Sequence, residues 1–176
     1  RILYADTGTG ASGHYYIDRD GRIERYVPPT RVANHTRGYN PRSVGIELVN
    51  SGRYPDWMDS RRQVMSEPYP EAQVAALLGL LAMLRNELPN LRWIAGHEQL
   101  DTALVQASDD PSLQVHRKRD PGPMFPWPQV LAQSRLELRL EAGPSRRLRV
   151  TKEGHDDAEM AVKLRAGQSH AETLRL

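Results

Sequence analysis

A histidine, a lysine and an aspartate fall within one polar stretch between Ile94 and Trp127. His97 follows Ile94-Ala95-Gly96, a short apolar run closed by glycine, where a strand gives way to a loop, and side chains that do chemistry concentrate in such places. Asp120 precedes Pro121-Gly122-Pro123, which restricts the local backbone and so limits where its carboxylate points. Lys118 puts a cation two residues before it. Imidazole plus carboxylate is a ligand set that zinc accepts, and a catalytic zinc uses three protein ligands and one water. Two ligands are visible in this stretch, so a third has to come from elsewhere. A His beside Gly and an Asp before Pro also serve as ordinary capped turns, so the metal reading needs support from other residues.

Glu47 stands in the middle of Ser43-Val44-Gly45-Ile46-Glu47-Leu48-Val49-Asn50, which reads as a buried strand. A carboxylate in an apolar strand is a candidate for a raised pKa and general-base work; the plainer alternative is a Glu on the open face of a sheet. Asn34, His35 and Arg37 belong to a polar loop, Asn34 to Asn40, whose side chains suit either ligand contact or a solvated turn. The glycines between Thr7 and Gly13 lack the Lys-Ser/Thr of a phosphate loop, and the segment reads as a flexible approach.

The elements that must position these residues follow from periodicity. His14 to Asp18 and Arg22 to Val27 flank Arg19-Asp20-Gly21, a hairpin signal, and Pro28-Pro29 stops the second strand. Gly52 to Pro70 has no sustained period and reads as a long surface loop. A helix enters at Pro70-Glu71, carries an apolar stripe of Val74, Leu77, Leu78, Leu81, Leu84 and Leu88, and ends at Pro89. Leu91 to Ala95 supplies the strand leading to His97, and Pro126 opens a short helix. Beyond Arg135 the texture becomes charged. Leu136, Leu138 and Leu140 alternate with charges before a turn at residues 142–145, which predicts a small amphipathic hairpin within a mobile appendage, 135–176.

The totals narrow the function classes. At 176 residues the chain holds one domain with a proper core, here 1–134, and the appendage. Basic and acidic residues number 24 and 22, with 15 of each up to Ser134, so no field argues for nucleic acid. Without cysteine there are neither disulfides nor thiolate ligands. No apolar run is long enough for a membrane span, and no signal peptide is seen, the reading expected of a soluble protein.

The order of these parts is recognisable. Ser12-Gly13-His14-Tyr15-Tyr16-Ile17 with Arg19-Asp20-Gly21, then Asn34-His35-Thr36, then Val44 to Asn50, Gly96-His97 and Lys118 to Pro123 resembles the type-2 N-acetylmuramoyl-L-alanine amidases, the AmpD-like zinc amidases related to phage lysozymes and peptidoglycan-recognition proteins. The resemblance spans roughly Ser12 to Trp127. It implies an α/β fold with a single mixed β-sheet flanked by helices, Zn2+ as cofactor, and peptidoglycan or a muropeptide as substrate. It also implies that His97 and Asp120 bind zinc and that the catalytic residues are Glu47, the strand carboxylate that takes the water's proton, and Lys118, the cation beside the metal. The bond cut would join the lactyl carbonyl of muramic acid to the L-alanine nitrogen, in the bacterial cytoplasm or the cell envelope.

Two departures stand out. The family's first zinc ligand is a His on a strand upstream of Ser12, and no His occurs between Arg1 and Gly13. A lost beginning, expected first because Arg1 is not Met, would take that strand with it; the alternatives are a substitute such as His14 or His35, or weakened zinc binding, which would leave a peptidoglycan-binding module that does not cut. The second is the long spacing from His97 to Asp120, tolerable because loop-closure entropy grows only logarithmically, with Asp109, Asp110 and His116 expected to solvate the loop.

Overall fold

The structure is a computed structural model that describes residues 10–139 and, as backbone only, 146–150 and 158–162. The approach segment before Gly10, and the rest of the charged tail beyond Arg139, lie outside the described residues.

The Asp-Gly hairpin forms as its sequence predicts. β1 (Tyr15–Ile17) pairs antiparallel with β2 (Ile23–Arg25), and the amide of Asp18 donates to the Arg22 carbonyl at 2.9 Å. Gly21 closes the turn with φ +88°, a conformation few other residues adopt, and a side chain there would also meet the Ala72 carbonyl oxygen at 2.8 Å. The other edge of β1 pairs in parallel with β3 (Ile46–Leu48), giving a mixed sheet ordered β2-β1-β3.

Alternation across the pleat decides what faces the core. Tyr15 and Ile17 pack under α1 (Glu71–Glu87), with Ile46 and Leu48 beside them; Tyr16 and Glu47, paired in register, point to the opposite face. From α1, Val74, Leu77, Leu80, Leu81 and Leu84 are buried, while Leu78 and Leu88 sit at the core's margin. Gln73 is buried too. Its Nε2 donates to the Ile17 and Val49 carbonyls at 2.9 and 3.1 Å, so one side chain ties the ends of β1 and β3 to the helix. α3 (Trp127–Ser134) enters through Pro126 and adds Val130 to the same core.

The remaining strands depart from a single sheet. β4 (Trp93–Ile94) pairs in parallel with β7 (Glu137–Leu138), and β5 (Leu104–Gln106) pairs with β6 (Gln114–His116) as a separate hairpin. β3 and β4 belong to different sheets, and a cavity of about 320 Å³ is lined by residues 43–48 and 90–97. Leu136 is buried and β7 is paired, so the compact unit runs to Arg139. The expected hairpin across 142–145 is replaced: β8 (Arg146–Val150) pairs antiparallel with β9 (Ala158–Val162), in a second unit that begins at Leu140. No helix among the described residues is long and apolar enough to cross a membrane.

Candidate active site

His97 does not enter a loop. It opens α2 (His97–Leu100), a single helical turn that follows β4, with Gly96 donating its amide to Gln99 Oε1 at 2.6 Å. The amide of Glu98 donates to the Asp120 carbonyl at 2.9 Å, which sews the two halves of the stretch together across the intervening residues. Gly96 packs so closely on Pro121 that a Cβ there would clash with its ring. On this frame His97 Nδ1 and Asp120 Oδ2 lie 3.1 Å apart, and His97 Nε2 is buried without a hydrogen-bond partner.

The same cavity is lined by Glu47, His35, His97 and Asp120, together with Tyr39, Tyr69, Trp127 and Arg139. Glu47 opens to solvent through the groove, yet protein atoms crowd its carboxylate. That crowding, and next the nearby Asp120, push its pKa above the ordinary carboxylate value, against the opposing pull of His97 and Lys118. For Asp120, crowding alone would act the same way, but the His97 hydrogen bond and the Lys118 charge outweigh it and the net direction is down. Two neighbouring carboxylates are thus driven apart in acidity, as expected where one is to stay anionic and the other is to exchange a proton. Glu98, half-buried beside them, is also raised, chiefly by burial.

The two alternative imidazoles differ. His14 is fully committed: Nδ1 accepts from the Gly45 amide at 2.9 Å and Nε2 bonds the Arg31 carbonyl at 2.9 Å, so it bolts the start of β3 to the 28–34 loop. That use of both nitrogens removes it as a metal ligand. His35 packs edge-on against His14 with ring centroids 5.4 Å apart, bonds Thr36 Oγ1 through Nδ1 at 3.2 Å, and leaves Nε2 buried without a partner. Burial and then His14 lower its pKa. Of the three candidate substrate contacts, His35 lines the groove, whereas Asn34 and Arg37 do not; Asn34 instead binds the chain at Ser12, whose Oγ accepts from the Asn34 amide at 2.9 Å.

Asp109 and His116 do more than solvate a loop. Asp109 accepts from the Ser60 amide and hydroxyl at 2.7 and 2.8 Å, and the His116 carbonyl accepts from Arg53 at 2.9 Å, so the 52–65 loop and the β5–β6 hairpin hold each other. Asp110 shapes its own turn by accepting from the amide and hydroxyl of Ser112. The Arg117–Asp101 ion pair braces the same hairpin. Sequence reading also passed over Tyr69, whose hydroxyl donates to the Pro121 carbonyl at 2.8 Å and whose ring stands edge-on to Phe125. Its one signal was a tyrosine held between Pro68 and Pro70.

Residues 3–123 match the family described as N-acetylmuramoyl-L-alanine amidase. The chain belongs to this amidase family. Among curated relatives, the amidase AmiD of Escherichia coli is 33% identical over 142 residues, 72% of this chain and 46% of AmiD. The endolysin of Enterobacteria phage K11 is 33% identical over 85 residues, 48% of this chain and 52% of the endolysin. The chain therefore spans about half the length of the curated relatives it matches. Among solved structures, the amidase LysC from Clostridium intestinale aligns at a TM-score of 0.45 with 25% identity, over 71% of this chain and 65% of that one.

The family is generally zinc-dependent, and two residues of the groove have the chemistry of zinc ligands. His97 and Asp120 suit it by donor type, adjacency and the unpartnered Nε2 of His97. Among the described residues no group of three or more His, Asp or Glu stands together as a metal cage, so these two make a partial set.

Proposed function

We propose that this chain is a zinc-dependent hydrolase of the amide bond between N-acetylmuramic acid and L-alanine in peptidoglycan or its fragments. The observation that carries the reading is the pairing of His97 with Asp120 at 3.1 Å in a groove that also holds Glu47, a carboxylate with a raised pKa. His97 and Asp120 would hold the metal. Zinc, when bound, lowers the pKa of a water towards neutrality and polarises a carbonyl oxygen. Glu47 accepts the proton of the attacking water and returns it to the departing L-alanine nitrogen, so the lactyl carbonyl gains hydroxyl and the peptide leaves with a free amine. Lys118, whose charge is felt at both Glu47 and Asp120, stabilises the oxyanion that develops on the former carbonyl oxygen. Tyr69 keeps Pro121 in place, and with it the backbone that aims Asp120.

A second reading, muropeptide binding without cleavage, is favoured by one observation: the donor set among the described residues is partial. Zinc per chain, measured after removal of loosely held metal and compared with Asp120→Ala, separates the two. About one zinc per chain, lost in the variant, supports the hydrolase. No zinc in either protein supports the binder.

A further inference from the structure

Glu47 carries the proton transfer proposed above, yet among the described residues no hydrogen bond holds its carboxylate; burial and neighbouring charges act on it instead. A glutamate has three staggered wells at each of χ1 and χ2, so an unrestrained one spreads over about nine arrangements of its stem. What aims Glu47 is therefore packing against its CH2 groups.

That packing comes from the neighbouring strand. Tyr16 stands opposite Glu47 in the parallel register of β1 and β3, on the same open face of the sheet. Gly13, just upstream, is buried where the two side chains meet: a Cβ built on it would lie 3.0 Å from Glu47 Cγ and 3.3 Å from both Cε2 and Cζ of Tyr16. The Glu47 stem, the Tyr16 ring and the Gly13 backbone thus form one close-packed layer.

The ring is itself anchored. The Gly13 amide donates to the Tyr16 hydroxyl oxygen at 2.8 Å, and Tyr26 stands edge-on to the ring with centroids 4.7 Å apart. Tyr26 is tied in turn, its hydroxyl donating to Glu24 Oε2 at 2.6 Å and its amide to the His14 carbonyl at 2.9 Å. The backbone after Gly13 is pinned to the start of β3, because the amides of His14 and Tyr15 both donate to the Gly45 carbonyl, at 2.9 and 3.2 Å. A ring locked by packing and by a hydrogen bond at its tip is a stiff surface for a neighbouring side chain to rest on.

We infer that Tyr16 is a positioning residue for Glu47: its ring, latched to the Gly13 amide and braced by Tyr26, confines the Glu47 stem to the arrangement that aims the carboxylate into the groove. The catalytic consequence rests on the proposed amidase function, whereas the confinement does not. Rate depends steeply on such placement, since a shift of about 1 Å in a reacting group costs on the order of 10²-fold. Loss of the ring opens about nine stem arrangements in place of one, which dilutes the productive one and lowers kcat by about tenfold. Tyr16 does not line the groove cavity, so KM stays near its parental value.

The test compares the full, zinc-supplied chain with Tyr16→Ala and Tyr16→Phe on a soluble N-acetylmuramoyl-L-alanyl peptide. Thermal unfolding checks each protein, and Tyr16→Leu is the smaller cut should the alanine variant not fold. Tyr16→Ala should lose about tenfold in kcat, with KM and zinc content within about twofold of the parent, while Tyr16→Phe, which keeps the ring, recovers kcat to within about threefold. A folded Tyr16→Ala or Tyr16→Leu with parental kcat overturns the inference, and so does a loss that appears in KM alone. The rotamers of Glu47 are read independently of cleavage from heteronuclear three-bond couplings in NMR spectra, which report χ1. One well is expected in the parent and in Tyr16→Phe, and averaging over several in Tyr16→Ala. Couplings that stay unaveraged in Tyr16→Ala overturn the inference whether or not the chain cuts. A parent that cuts nothing, yet shows this averaging in the variant, sinks the hydrolase reading and leaves the positioning role standing.

Discussion

Replacing Arg53 by Met should loosen the segment that carries Lys118 and Asp120. The guanidinium makes three hydrogen bonds, to Gln63 Oε1 at 2.8 Å, the His116 carbonyl at 2.9 Å and the Arg117 carbonyl at 3.1 Å, joining residues more than sixty positions apart. Burial is the leading influence on this guanidinium, followed by Arg119; both lower its pKa, but an arginine stays charged throughout the neutral range. Hydrogen bonds to a charged group contribute about 1.5–3 kcal/mol each, but the site is partly open to water, which can rehydrate the two carbonyls. Discounting for that leaves a loss of about 2–3 kcal/mol for Arg53→Met. For a domain near this size each kcal/mol moves Tm by about 3 °C, so a fall of about 6–9 °C is expected. Arg53→Lys can replace one bond but not the fork, and should recover less than half of the loss. Thermal unfolding followed by far-UV circular dichroism measures both. If Arg53→Met unfolds within about 1 °C of the parent, the clamp is ornamental and the reasoning fails.

Other consequences follow from the same geometry. His14→Ala strands the buried Gly45 amide and Arg31 carbonyl and should cost about 3 kcal/mol in urea unfolding; a cost under 1 would mean that neither bond matters. Gly45→Ala drives a methyl group into the His35 ring and should destabilise by about 1–3 kcal/mol, an effect that His35→Ala relieves if the clash is the cause. Glu47→Gln should slow hydrolysis by about 10²-fold or more while leaving stability at pH 7 equal or higher, since the raised pKa shows that the charged form is the disfavoured one; a less stable variant would contradict that assignment. His35 has a folded pKa below its ordinary 6.5, so its contribution is complete above that pH and is lost as pH falls towards the depressed value; the difference in unfolding free energy between the parent and His35→Gln should be constant above 6.5 and move against the parent as pH falls below it.

The elements most readable in the sequence were those that carry their own instructions. Asp20-Gly21 needs no partner to specify a turn, and the leucine stripe of α1 marks its buried face at every turn. Glu47 was legible as an acid on a strand, with the choice between core and open face settled by its register opposite Tyr16. Gln73 was missed because periodicity scores apolar residues, and its burial depends on two carbonyls contributed by distant strands. β5, β6 and β7 are two or three residues long, too short for alternation to register, and each is a strand only because another segment lies beside it. For the same reason Asp109 looked like loop solvation: its partner, Ser60, stands 49 positions away. The site residues His97, Lys118 and Asp120 drew attention by type and spacing, whereas Tyr69 and Arg53, which hold their backbone, act through carbonyls that leave no mark on composition.

The most direct test of the amidase reading is product analysis. The purified chain, supplied with one equivalent of zinc, is incubated with a soluble N-acetylmuramoyl-L-alanyl peptide, and products are resolved by mass spectrometry beside Glu47→Gln. The account predicts a muramic acid product with a free lactyl carboxylate and a peptide with a free L-alanine amine, formed by the parent and lost in the variant. Intact substrate with the zinc-loaded parent, or equal cleavage by Glu47→Gln, would contradict it.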